Sequence, residues 1–317
     1  MSFAFVFPGQ GSQSVGMLAS LAPIDPVVRA TFDEASAALG YDLWQLIQEG
    51  PLERLNPTEF TQPAMLAAGI ATARLWARRG GGEPTAVSGH SLGEFTALVA
   101  AGALEFSTAI ALVKFRGQAM QEAVPAGAGA MAAILGLEDA DVEAACKEAA
   151  QGAVVEAVNF NAPGQVVIAG ETAAVQRAIE AAKARGAKRA VALPVSVPSH
   201  SSLMRSAAER LGEKLADTEI RAPRIQYISA VDAATHSDPA DIRALLVRQL
   251  ASPVRWRHTV RALAATGIQQ LIECGPGKVL TSLNKRVEQV SGVTFAALED
   301  PAALDAALNV TKGSGNA

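Results

Sequence analysis

Two cysteines in 317 residues, Cys146 and Cys274, are too few and too far apart for a disulfide framework or a cysteine metal site. They read as reduced thiols of a cytoplasmic protein. Aromatic residues are only 5% of a chain that is 50% hydrophobic, so the core is aliphatic and rich in alanine, which suits helices packed closely on a sheet. Positive charge is not in excess: 27 Lys and Arg against 31 Asp and Glu leave a net charge of −4, which excludes a general nucleic-acid footprint. No apolar run approaches the roughly 20 residues a membrane-spanning helix needs. The start, Met1 to Pro8, has no basic residue and meets Pro8-Gly9 too early for a secretory signal. The glycine-rich stretch Pro8-Gly9-Gln10-Gly11-Ser12-Gln13 matches neither Gly-x-Gly-x-x-Gly nor the Gly-Lys-Ser/Thr phosphate loop. It reads as backbone amides placed beside a site.

What is present is a Gly-x-Ser-x-Gly pentapeptide, Gly89-His90-Ser91-Leu92-Gly93. A short apolar run (Ala86, Val87) precedes it, and a helical run from Leu92 to Ala101 follows. Strand, sharp turn and helix are the context of a nucleophile elbow. Glycine at 89 and 93 lets the neighbouring backbone segments approach. Ser91 would stand at a helix N-terminus, with the Leu92 amide facing a developing oxyanion.

The rest of the chain alternates strands and helices, which implies a mostly parallel sheet covered on both faces. Strands are expected at 3–7, 225–229, 268–273 and 294–297. Helices are expected at 26–38, 42–49, 62–79, 107–123 (capped by Ser107), 239–250, 254–266 and 279–288. After the small-residue stretch 125–129 the order becomes strand 130–135, helix 140–150, strands 154–158 and 165–169 around a hairpin loop, helix 172–185, and strand 189–195. This βαββαβ order is ferredoxin-like. The expected organisation is an α/β hydrolase-like large domain, 1–125 and 195–310, with a ferredoxin-like subdomain inserted at 126–194. A flexible tail is expected over 311–317.

A serine nucleophile needs a base, and there are only four histidines. His90 adjoins Ser91 and should point away, packed beneath the elbow. His236 lies in a polar loop. His258 stands among Arg255, Arg257 and Arg261 on a helical face read as exposed. His200 follows the apolar run 190–197 where a helix is expected to begin. That puts it at a strand's C-terminal end, with a helix N-terminus to lower its pKa. Its orienting partner stays open between Glu273, the one acid at a strand end, and a backbone carbonyl.

Together the stretches 7–13 and 89–94, Arg116, Pro198-Ser199-His200, 159–165 and 273–277 resemble the malonyl-CoA:acyl carrier protein transacylases of bacterial type II fatty-acid synthesis. The resemblance covers about 1–300. It implies Ser91 as the malonylated nucleophile and His200 as base and then acid. It makes the Gln249 backbone carbonyl the group that orients His200, and the amides of Gln10 and Leu92 the oxyanion hole. Arg116 becomes the holder of the malonyl carboxylate, although alone it reads as a surface arginine paired with Glu122. Gln62, Asn161 and Ser199 are further pocket candidates. No tightly bound cofactor is expected. The substrate is a coenzyme A thioester, and the partner is an acidic acyl carrier protein docking transiently on a basic patch. Lys183, Arg185, Lys188 and Arg189, or Lys285 and Arg286, could form that patch. An α/β-hydrolase would order its residues Ser, acid, His with histidine near the end, and His200 comes too early for that. A non-catalytic binding module would tolerate loss of Ser91, His200 or Arg116. The chain begins just before its first strand and ends shortly after its last helix, which favours a free-standing protein over a domain of a polyketide synthase; a monomer is expected.

Overall fold

The computed structural model describes residues 1–195 and 197–313. Its first strand, β1 (Phe3–Phe7), alternates large and small side chains. Phe3, Phe5 and Phe7 enter one hydrophobic cluster while Ala4 and Val6 enter another, so the strand is covered on both faces. Helices α1 (Val27–Leu39), α2 (Leu43–Glu49), α3 (Leu52–Leu55) and α4 (Thr58–Arg78) follow. Then come β2 (Ala86–Gly89), α5 (Gly93–Ala100) and α6 (Phe106–Glu122). Glu105, not Ser107, caps α6: its carboxylate accepts from the amides of Ser107 and Thr108.

The chain then builds a second sheet. Its elements are β3 (Gly129–Leu135), α7 (Asp139–Ala150), β4 (Val155–Ala162), β5 (Gln165–Glu171), α8 (Thr172–Ala184) and β6 (Arg189–Ala192). They form an antiparallel sheet in the order β4-β5-β3-β6, the ferredoxin-like arrangement. The expected loop at 159–164 shrinks to the turn at Pro163-Gly164, because β4 runs on to Ala162 with bulges on the way.

After a 3-10 turn at Ser202–Met204 the chain returns to the first sheet. It contributes α9 (Arg205–Ala216), β7 (Gln226–Ile228), β8 (Thr235–His236), α10 (Pro239–Gln249) and α11 (Trp256–Ala265). Then follow β9 (Gln270–Glu273), α12 (Val279–Asn284), β10 (Thr294–Ala297) and α13 (Pro301–Gly313). The six strands lie in the order β10-β9-β1-β2-β7-β8, all parallel except the β7–β8 pair. Residues 311–313, expected in a flexible tail, finish α13; the rest of that tail, 314–317, lies outside the described residues.

Candidate active site

The elbow forms because two glycines leave no room for anything larger. A Cβ on Gly89 would lie 1.9 Å from the Gly93 carbonyl carbon, and one on Gly93 would lie 2.0 Å from the Phe7 carbonyl oxygen. Ser91 is held at φ 52°, a conformation that non-glycine residues seldom adopt. Its hydroxyl is 2.7 Å from Nε2 of His200, 109 residues away along the chain. Nδ1 of His200 donates to the Gln249 carbonyl at 2.8 Å, so Nε2 carries the lone pair that faces the serine.

His200 is placed differently from the expectation. The strand before it, β6, stops at Ala192 and belongs to the four-stranded sheet. The α-helix after it starts only at Arg205. What meets His200 is the C-terminal end of α10, where carbonyls lack intrahelical partners. Leu250 accepts from the His200 amide at 3.0 Å and Gln249 from its ring. A helix C-terminus favours imidazolium, the opposite of the expected effect. Complete burial, with the nearby Arg116 charge, prevails and lowers the His200 pKa to about 3. Glu273 does not orient it. That carboxylate accepts from the amides of Leu280 and Thr281 at 3.0 and 2.7 Å and so anchors α12, while burial pushes its pKa up.

Arg116 is not a surface residue. It is 1% exposed, and Glu122 pairs instead with Arg210. Nη1 donates to Gln62 Oε1 at 2.9 Å, and Nη2 donates to Gln249 Oε1 at 2.8 Å and to Ser91 Oγ at 3.2 Å. Its Nε is buried without a partner among the described residues. Burial lowers its pKa to about 10, opposed by the charge of Glu94. It therefore stays cationic at neutral pH, within reach of anything attached to Ser91.

These groups meet in a cavity of about 620 Å³ whose lining includes Gln10, Leu92, Ser91, Arg116, Ser199 and His200. Met131, Leu193 and Val195 give it an apolar wall from the four-stranded sheet side. Neither the Gln10 nor the Leu92 amide donates to a protein acceptor among the described residues, so both are free for an oxyanion. Asn161 is a correction. It does not line the cavity but meets His90, with 2.8 Å between Oδ1 and the ring Nε2; the His90 ring lies 5.5 Å from that of Trp256, tilted by 56°, and His90, expected to point away from the site, is itself among the cavity-lining residues. The asparagines that line the cavity are Asn56 and Asn159, and Asn159 Oδ1 is buried without a partner among the described residues. His236 bonds Asp232. His258 is half-buried rather than exposed; burial, then Arg257, Arg261 and Arg255, lowers its pKa.

Two participants escaped the sequence reading: the Gln249 side chain and Glu94. Glu94 is buried, accepting from Tyr227 Oη at 2.6 Å, the Ala230 amide at 2.8 Å and Gln249 Nε2. Burial raises its pKa against the pull of these donors. An acidic residue inside the apolar run 92–101 was the available signal.

The elbow serine, with a buried histidine on its hydroxyl, faces a cavity open to both. The chain belongs to the acyl transferase family, whose domain matches residues 4–299. Within that family it groups with the malonyl-CoA:acyl carrier protein transacylases. It is 57% identical to the malonyl CoA-acyl carrier protein transacylase of Salmonella typhimurium, over 96% of this chain and 98% of that protein. It is 44% identical to the Bacillus subtilis protein of that name, over 98% and 97%. Among solved structures, an acyl carrier protein S-malonyltransferase from Vibrio cholerae superposes with a TM-score of 0.93 at 56% identity, covering 97% of this chain and all of that one (100%). A malonyl-transacylase solved in complex with its type II polyketide synthase acyl-carrier protein gives a TM-score of 0.96 at 54% identity, covering 98% and 100%. Among the described residues no helix is long and apolar enough to cross a membrane.

Proposed function

We propose that the protein moves malonyl from malonyl-CoA to the phosphopantetheine thiol of acyl carrier protein through a malonyl ester on Ser91. The observation that carries this reading is the buried Arg116 guanidinium, 3.2 Å from the Ser91 hydroxyl. A planar guanidinium binds a carboxylate bidentately, and malonyl on Ser91 would bring its free carboxylate to that point.

In the first half-reaction Ser91 Oγ attacks the thioester carbonyl and gives its proton to His200 Nε2. The Gln249 carbonyl holds the imidazolium through Nδ1–H, as a triad acid would, without adding a charge. The amides of Gln10 and Leu92 receive the oxyanion. Collapse breaks the C–S bond, and coenzyme A leaves as a thiol with the proton from Nε2. In the second half the phosphopantetheine thiol gives its proton to Nε2 and attacks the ester carbonyl. Ser91 then leaves, reprotonated. The scheme is ping-pong, and no bound cofactor takes part. Gln62 fixes the other side of the guanidinium, and Ser199 narrows the pocket beside the base.

Docking of the acidic carrier is assigned to Lys285 and Arg286, both exposed. Arg286 borders a groove of about 390 Å³ between α12 and the β4–β5 turn. Lys183 and Arg185 suit the role less, being paired with Glu180 and Glu148. The same reading takes the protein as a cytoplasmic monomer, with 126–194 as a unit inserted between 1–125 and 195–310.

The test is intact mass after brief incubation with malonyl-CoA. One added malonyl, absent from Ser91→Ala, is the expected result. Unmodified protein with free malonate and coenzyme A would make it a hydrolase.

A further inference from the structure

The scheme above leaves one buried charge beside the site unused. Glu94 is 1% exposed and lies three residues past Ser91 on α5. Its Oε1 receives the Tyr227 hydroxyl and the Ala230 amide, and its Oε2 receives Gln249 Nε2. The same Nε2 also donates to the Ser91 carbonyl at 3.0 Å. That turns Gln249 Oε1 toward Arg116 Nη2, 2.8 Å away. The chain of bonds thus runs from Glu94 through one side-chain amide to the guanidinium.

We propose that Glu94 is a positioning residue that sets the orientation of the Gln249 side chain and so aims Arg116 at the acyl carboxylate. This rests on the carboxylate-clamp reading of Arg116. A carboxylate is needed because the groups facing Glu94 present hydrogens. An amide at position 94 would set its NH2 against either the Ala230 N–H or the Gln249 NH2. Flipping Gln249 would relieve that clash only by turning its own NH2 on Arg116 and its oxygen on the Ser91 carbonyl. The conflict therefore ends at the guanidinium wherever it is resolved. His200 is held otherwise, by main-chain carbonyls of Gln249 and Leu250 that the side-chain amide does not position. Losing Glu94 should loosen the clamp and spare the base.

The test compares single-turnover acylation of Ser91 by malonyl-CoA and by acetyl-CoA in Glu94→Gln, Gln249→Met, their double variant, Tyr227→Phe and Arg116→Ala. Glu94→Gln should lower malonyl kcat/KM about tenfold or more, chiefly through KM, as expected when a hydrogen bond to a charged group is lost. Acetyl transfer should stay within about threefold, and the double variant should add little to either single, because the two residues act in series. Tyr227→Phe should change the malonyl-to-acetyl ratio less than Glu94→Gln, since Glu94 keeps its contact with Gln249. Equal losses for both acyl groups, no loss for either, or additive losses in the double variant would overturn the proposal. Should Glu94→Gln not fold, Gln249→Met alone must reproduce the malonyl-selective loss, or the proposal falls. If Arg116→Ala keeps the malonyl preference, the clamp reading fails and takes this proposal with it. A selective Arg116→Ala beside an unselective Glu94→Gln defeats the proposal alone.

Discussion

Ser91 and His200 sit on two loops that solve one problem in opposite ways. Both residues have positive φ without being glycine, 52° and 68°, a conformation that costs on the order of 1–3 kcal/mol each. The elbow meets that cost with close packing: β1, the turn and α5 touch backbone to backbone at Gly89 and Gly93. The histidine loop meets it with hydrogen bonds. Leu250 and Gln249 hold His200, Ser201 Oγ donates to the Pro198 carbonyl at 2.7 Å, and Glu156 of β4 accepts from the Ser202 amide at 2.7 Å. The nucleophile rests on steric exclusion, part of it local (Gly89 against Gly93) and part from Phe7 of β1, and the base on hydrogen bonds, of which those to Gln249, Leu250 and Glu156 are made at long range. Packing fails all at once, whereas a set of hydrogen bonds fails by degrees.

The largest effect should come from the elbow. Gly93→Ala puts a methyl into the Phe7 carbonyl; overpacking of this kind costs about 1–3 kcal/mol or more, and the backbone must move to absorb it. The expected outcome is loss of Ser91 malonylation by intact mass together with a lowered Tm; a folded, fully active Gly93→Ala would erase the contrast between the loops. Arg116→Ala comes next. Leaving a buried charge partner empty costs on the order of 3–5 kcal/mol, so malonyl transfer should drop by about 10²–10³ or more while acetyl transfer changes little. Ser201→Ala removes one bond of the histidine loop, worth about 0.5–1.5 kcal/mol, and should lower both stability and turnover modestly in a denaturant melt and a steady-state assay.

The smallest effect is a flat pH profile. The His200 pKa is depressed to about 3, so the base is neutral above that value and protonated only as pH falls through it. Arg116, with its pKa lowered to about 10, loses its charge only as pH rises through that value. Quenched-flow acylation by malonyl-CoA should therefore vary little between about pH 5 and 8, where an ordinary imidazole near 6.5 would titrate. An acid limb centred near 6.5 would show that the loop leaves His200 in contact with water.

The same contrast explains what could be read in the sequence. The elbow was legible because its sequence cues lie within the ten residues from Ala86 to Phe95: an apolar run, two glycines and a helical stretch; the Phe7 carbonyl that excludes a side chain at 93 was not readable there. The βαββαβ order was legible for a similar reason, as each strand and helix carries its own period. The structure brings His200 to Ser91, but by a different local arrangement from the one expected. The stretch before it looked like a strand of the main sheet, and the contacts that orient it come from α10. Gln249 and Arg116 were named only through resemblance, because burial of a polar side chain depends on distant partners. Asn161 was expected in the pocket, but Asn159 of the same strand borders it instead, because the bulges in β4 decide which asparagine reaches the cavity.

The long separation of the site's parts gives the chain an order of assembly in time. Ser91 leaves the ribosome first, and 158 residues separate it from Gln249. At about 5–20 residues per second that distance takes about 8–30 s to synthesise. During that interval the four-stranded sheet is made, but the serine has neither an oriented base nor a braced Arg116. On the proposed mechanism, the nascent chain passes through a mute period in which the Ser91 hydroxyl is chemically ordinary, and it gains its reactivity only when α10 has taken its place.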